Sequence, residues 1–249
     1  MNYYHENCVN SCNKGGKNIK KLIVSDNPSL LPSSAEFIKT KVIDNEQIAE
    51  GVFLISLERH FDFDPGQVTG IHFKPAPDAR LYSIASGIND EHIKILFDIQ
   101  PGGFISPFLA ERKKGDNLFV TTPFGWFTCY EKPAWWIATG TGIAPFASMF
   151  FSGLGKDKIL IHGGRTAGSF FFQEEFAAVL QENYIRCCPG ENREGIYSGR
   201  LTAWLEEQEN LPADQAFYLC GRAEMVVEVR DILIRKGIPF KNIYSEIYF

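Results

Sequence analysis

At 249 residues the chain is long enough for two modest domains, and its 45% hydrophobic content with 21 Phe supplies material for two cores. A net charge of −5, from 25 Lys plus Arg against 30 Asp plus Glu, excludes the basic footprint that nucleic-acid binding requires. No apolar run approaches the roughly 20 residues of a membrane span, no secretory pattern follows Met1, and six cysteines without a C-x-x-C pair offer neither a disulfide framework nor iron–sulfur spacing. A reducing cytoplasm is therefore expected. His5, His60, His72, His92 and His162 are scattered, and no metal centre is expected.

Residues 1–33 are polar, with Lys14, Lys17, Lys20 and Lys21, and read as an extension held loosely and mostly outside the core. From 34 to 130 the texture is all-β. Short alternating runs (Phe37 to Ile43, Val52 to Leu57, Gln67 to Phe73, Leu81 to Ala85, Ile93 to Ile99, Asn117 to Thr122) are separated by turn clusters such as Asp64-Pro65-Gly66. About six strands at this spacing predict a small antiparallel barrel, with a helical turn at Ser106 to Lys113.

From 131 onward strands and helices alternate. Strands are expected at 134–139, 158–163, 184–188, 216–220 and 242–247, and helices at about 144–153, 170–182, 200–208 and 223–236. This rhythm predicts a five-stranded parallel sheet in an α/β domain. Ligands would bind at the carboxyl ends of its strands, where Gly140, Gly163 and Cys220 fall. The centre of the pattern is Trp135-Trp136-Ile137-Ala138-Thr139-Gly140-Thr141-Gly142-Ile143-Ala144-Pro145, a buried strand, a glycine turn and a helix opened by proline. Such a turn aims backbone N–H groups at an anion, typically a phosphate, although a tight connection without ligand has the same pattern.

Arg80-Leu81-Tyr82-Ser83 puts a guanidinium fork and a flat ring on one face of a strand, with Ser83 on the other. Some twenty residues on, the bare backbone of Gly102 and Gly103, followed by Phe104, Ile105 and Ser106, suits a pyrophosphate. Arg112, Lys113 and Lys114 form a charged turn that an acidic carrier could meet, though a solvated turn reads the same way.

These motifs, with Pro123-Phe124-Gly125, Cys220-Gly221 and the ending Glu246-Ile247-Tyr248-Phe249, occur in the order and spacing of the ferredoxin–NADP reductase family, which the chain resembles over about residues 35–249. The resemblance implies a flavoprotein oxidoreductase without an iron–sulfur domain: an FAD-binding β-barrel (34–130) followed by an NAD(P)-binding α/β domain (131–249). It would move a hydride from NAD(P)H to FAD and pass electrons to a separate ferredoxin or flavodoxin. It implies that Arg80 and the backbone of Gly102 to Ser106 hold the FAD phosphates, that Leu81 and Tyr82 lie along the flavin with the Tyr82 ring stacked on it, and that Ser83 bonds near N5. Gly140, Thr141, Gly142, Ile143 and Pro145, with Gly163, Arg165 and Gly221, would receive the nicotinamide nucleotide. Ser83, Cys220, Glu246 and Tyr248 would stand at the reacting rings, with Tyr248 or Phe249 covering the flavin.

The chain departs from NADP-specific members after the third strand of the second domain. Pro189 and Gly190 replace a Ser-Arg pair there, Glu194 and Ile196 replace a Lys and a Tyr, and Glu191 adds negative charge, which leans the reading toward NADH. Arg165, Arg193 and Arg200 remain within reach of a 2′-phosphate. A free-flavin reductase and a non-catalytic electron-transfer subunit of a larger complex are the alternatives; the protein is expected to be a monomer.

Overall fold

The computed structural model describes residues 23–24, 31–32, 35–130 and 133–248. The arm lysines and Cys8 and Cys12 lie outside these residues.

Six antiparallel strands form the first layer: β2 (Phe37–Ala49), β3 (Val52–Glu58), β4 (Val68–His72), β5 (Arg80–Ser83), β6 (His92–Asp98) and β7 (Asn117–Thr121). Their order is β5-β4-β7-β2-β3-β6, and an Ile84–Ile95 bridge brings the two outer strands together into a barrel. Period-2 alternation buries Ile55 and Leu57 of β3 with Ile93, Ile95 and Phe97 of β6 inside it. A six-residue helix, α1 (Ile105–Ala110), lies between β6 and β7.

The second layer is a parallel sheet. Its five long strands are β8 (Ala134–Thr139), β9 (Lys158–Gly163), β10 (Tyr184–Cys187), β12 (Ala216–Arg222) and β13 (Ile243–Tyr248). Two two-residue edge strands, β1 (Ile23–Val24) and β11 (Ile196–Tyr197), extend it to seven, in the order β1-β13-β12-β8-β9-β10-β11. The expected five strands are all present. The extra pair escapes a pattern reading because two residues carry no periodicity. β1 also ties part of the amino-terminal extension into the sheet, opposite Glu246 and Ile247.

Side chains of β8 alternate cleanly. Trp135 and Ile137 join one core with Val226, Val229, Ile232 and Leu233 of α5 (Ala223–Arg235). Ala134, Trp136 and Ala138 join a second core on the opposite face. That core crosses between the layers, since Ala85, Leu96 and Phe127 of the barrel side belong to it. Burying a side chain the size of Phe127 stabilises by about 1.5–3 kcal/mol, so the contact fixes the two layers relative to each other.

The remaining helices are shorter than their patterns suggest. α2 (Ala144–Met149) passes into a π-type turn at Phe150–Leu154, where Gly153 takes φ +84°. Ser148 Oγ donates to the Ser86 carbonyl at 2.8 Å, and the Ile88 N–H donates to Ser152 Oγ at 3.0 Å. The helix loosens where its residues turn to bond the barrel. α3 (Gln173–Leu180) and α4 (Leu201–Glu207) complete the set.

Candidate functional site

The functional elements meet where β5 of the barrel faces the carboxyl edge of the parallel sheet. β5 pairs with β4 in the register Val68↔Ser83, Thr69↔Tyr82 and Ile71↔Arg80. Arg80 and Tyr82 thus share a face with Ile71, and the Tyr82 ring packs edge-on against Phe97 at 6.1 Å. Ser83 points the other way, toward the second domain, and its hydroxyl donates to Glu246 Oε1 at 2.7 Å. Both residues are buried. A hydrogen bond to a buried carboxylate contributes about 1.5–3 kcal/mol. Its partners stand 163 positions apart, so no local pattern announces it.

The Tyr82 hydroxyl is buried and has no hydrogen-bond partner among the described residues. Burial raises its pKa well above that of free tyrosine, and the neighbouring Arg80 charge offsets only part of that rise. An orphaned hydroxyl of this kind marks a place for an external acceptor. Along the same barrel, Gly102 takes φ +78° and a side chain there would meet no atom within 4 Å, so its backbone is open to a ligand. The Ser106 hydroxyl accepts the Gln100 N–H at 2.9 Å, closing this turn onto α1. Asn45 Nδ2 donates to the carbonyls of Leu109 and Arg112, each at 2.9 Å, and holds the other end of the helix. Leu81 is half-buried beside Tyr82, and Ile105 packs against the barrel core.

On the other side of the junction, β8 ends at Thr139 and the turn Gly140–Ile143 is a single 3₁₀ element leading into Pro145. Gly142 sits hard against β12: a Cβ there would lie 2.5 Å from the Cys220 carbonyl oxygen and 2.6 Å from Gly221 Cα. Thr139 Oγ1, at the mouth of this turn, is buried without a partner among the described residues. Gly163 closes β9 opposite Thr139, and Arg165 follows on the exposed rim. Cys220 is fully buried, in register with Ala138 on one side and Glu246 on the other. Tyr248 closes β13 opposite Arg222. Its ring, and Phe249 altogether, lie outside the described residues.

The region expected to discriminate between nucleotides folds back over the turn after β9. Glu191 Oε1 accepts the Ala167 N–H at 3.2 Å, and Arg193 Nε lies 3.2 Å from Glu191 Oε2. The carboxylate is thereby pinned beside the rim that carries Arg165, while Glu194 and Arg200 are exposed. Arg186, which pattern reading passes over, is half-buried and donates to the Gly195 carbonyl at 3.2 Å.

These groups fit two nucleotide cofactors: an arginine, an open glycine turn and an orphaned tyrosine hydroxyl on the barrel, and a close-packed glycine turn on the sheet. The comparisons agree. Residues 136–231 match the oxidoreductase NAD-binding domain family. The chain is 27% identical over 244 residues to the toluate 1,2-dioxygenase electron transfer component of Pseudomonas putida, covering 87% of this chain and 71% of that one. It is 27% identical over 218 residues to the flavodoxin/ferredoxin–NADP reductase of Escherichia coli, covering 77% and 88%. In structure it resembles a ferredoxin NADP+ reductase of Neisseria gonorrhoeae with bound FAD and NADP, with a TM-score of 0.76, 21% identity and coverage of 87% of this chain and all of that one. By sequence and by fold the chain is similar to ferredoxin–NADP reductases. The matches are to oxidoreductases, and the groups described above fit FAD and a nicotinamide nucleotide. No helix among the described residues is long and apolar enough to cross a membrane.

Proposed function

We propose that this reductase takes a hydride from NADH in preference to NADPH and delivers electrons through FAD to a separate one-electron carrier of the ferredoxin or flavodoxin type. The observation that carries this reading is the buried Ser83–Glu246 contact. It brings the strand of Arg80 and Tyr82 against the edge that holds the Gly140–Pro145 turn, so two cofactors can meet face to face. When bound, FAD supplies the change from two-electron to one-electron transfer.

The chain's own residues bind, orient and shield. Arg80 and the Gly102–Ser106 turn hold phosphates on the barrel, Tyr82 and Leu81 orient a ring, and Gly140, Thr141, Gly142, Ile143 and Pro145 hold phosphates on the sheet. Ser83 and Glu246 form a buried donor–acceptor pair that can hold a proton at the Ser83 oxygen, next to Cys220 and the end of β13. Pinned beside the rim, Glu191 repels a 2′-phosphate and can accept from a 2′-hydroxyl, which favours NADH. We assign residues 1–33 to an extension, 34–130 to the FAD domain and 131–249 to the nucleotide domain. Among the described residues Cys129, Cys187, Cys188 and Cys220 are buried and outside any disulfide; we assign the protein to the cytoplasm, as a monomer.

The test is a visible spectrum of the purified protein followed by anaerobic addition of each nicotinamide in parallel. A yellow protein bleached faster by NADH is the expected result. Equal or faster bleaching by NADPH would refute the assignment of Glu191, and bound flavin bleached by neither would refute the reductase.

A further inference from the structure

One ring beside the phosphate turn is not accounted for by the core. Phe104 follows Gly103 directly and is 67% exposed. Phe73, the first residue beyond β4, meets it edge-on with ring centroids 5.6 Å apart and planes at 69°. Phe73 is itself braced: the ring of buried His72 lies 4.1 Å away, and Phe108 lies 5.7 Å away. The Arg112 guanidinium covers Phe108 at 3.9 Å. Of these three phenylalanines, Phe108 is capped, Phe73 is partly covered and Phe104 is open.

Their position is informative. Because Ile71 pairs with Arg80, the chain leaves β4 through His72 and Phe73 at the end where β5 begins with Arg80. Arg80 therefore lies between Tyr82, two residues along its own strand, and the Phe73–Phe104 pair. The barrel edge offers, in order, a ring, a guanidinium with an open glycine turn, and a second ring. A flavin dinucleotide has the same order: a ring system, two phosphates and a purine. A mononucleotide stops before the purine.

We propose that Phe104, braced by Phe73, is the platform on which the adenine of FAD stacks, and that it makes the barrel prefer FAD to FMN. The proposal rests on the flavin reading above but concerns only the half of the cofactor that FMN lacks. An open aromatic face suits any flat π-system, and its edge-on neighbour keeps it from folding away.

The test uses the full chain in flavin-free form, titrated with FAD and with FMN and followed by quenching of flavin fluorescence. Phe104→Ala is expected to weaken FAD binding about 10- to 100-fold, the range set by truncating a base-stacking aromatic, and to weaken FMN binding far less. Phe104→Trp is expected to retain FAD affinity. Wild-type FAD affinity in Phe104→Ala would overturn the proposal, as would equal losses for FAD and FMN, which would point to general damage to the turn. A wild-type protein that bound FMN as tightly as FAD would overturn the platform and leave the flavin site standing. Failure to bind either flavin would overturn both.

Discussion

Gly142 is a position where a single added methyl group should damage the nucleotide site. A Cβ there would lie 2.5 Å from the Cys220 carbonyl oxygen, 2.6 Å from its carbonyl carbon and 2.6 Å from Gly221 Cα. All three are backbone atoms of β12 and cannot rotate aside. Gly142→Ala must therefore push the Gly140–Pro145 turn away from β12. Overpacking of this kind costs about 1–3 kcal/mol, and contact with main chain on three sides places this site near the upper end. The natural control is two residues away. Gly140 takes φ +56°, yet its Cβ would meet nothing within 4 Å. Gly140→Asn should cost less than about 1 kcal/mol, because asparagine tolerates left-handed backbone. Denaturant titration should order the proteins as wild type, Gly140→Asn and then Gly142→Ala, with the last at least 1 kcal/mol below its control. Nicotinamide-nucleotide affinity, read by difference spectroscopy, should fall about tenfold or more in Gly142→Ala, since displacing the turn by that energy is a factor of ten in binding. A Gly142→Ala protein as stable as Gly140→Asn, with unchanged nucleotide affinity, would refute the close-packing argument.

Three further expectations are independent of that one. Tyr82→Phe removes a buried hydroxyl that has no partner among the described residues, so the flavin-free protein should be as stable as wild type or more so, while FAD affinity drops by a few-fold in equilibrium titration. His162 is fully buried, with Nδ1 3.0 Å from the Tyr184 hydroxyl, and burial with the Arg186 charge lowers its pKa to about 3. The unfolded chain takes up the proton near pH 6.5, so stability from this group is full above that pH and declines as pH falls toward 3, by at most about 1.4 kcal/mol per pH unit. His162→Gln should flatten this acid limb, and an unchanged slope in chemical denaturation between pH 7 and 4 would remove His162 as its source. Glu191→Lys should raise the NADPH/NADH ratio of kcat/KM by tenfold or more in steady-state reduction of an artificial acceptor; an unmoved ratio would discount the pinned carboxylate.

The architecture was legible wherever one element obeys one period. The unbroken apolar run Trp135-Trp136-Ile137-Ala138 marks a strand buried on both faces, and the structure splits those residues between two cores. Helical spacing of Val226, Val229, Ile232 and Leu233 likewise marks the face of α5 that is buried. Arg80 and Tyr82 stand out because a charged fork and a ring two residues apart on a strand must share a face. Ser83 and Glu246 are different: each motif is visible, but their contact depends on how two layers pack. The pairing of Ile23 and Val24 with β13 is a property of an available sheet edge, and two residues have no pattern of their own. The π-type turn at Phe150–Leu154 follows from bonds to Ser86 and Ile88 in the other layer, which helical periodicity does not encode. Phe104 reads as part of the backbone of the phosphate turn, and only its exposure singles out its side chain.

The core that crosses between the layers sets a limit on how this protein can be taken apart or recombined. Ala85, Leu96 and Phe127 belong to the barrel by chain position but are buried with Trp136, Phe146 and Tyr218 of the other domain. Phe127 contacts both Phe146 and Tyr218, with ring centroids 5.7 and 5.5 Å apart. A chimera cut at the boundary would carry a Phe146–Tyr218 surface shaped for one particular barrel. To exchange nucleotide specificity with a relative, it would be better to transplant the short rim around Glu191 than the whole second domain.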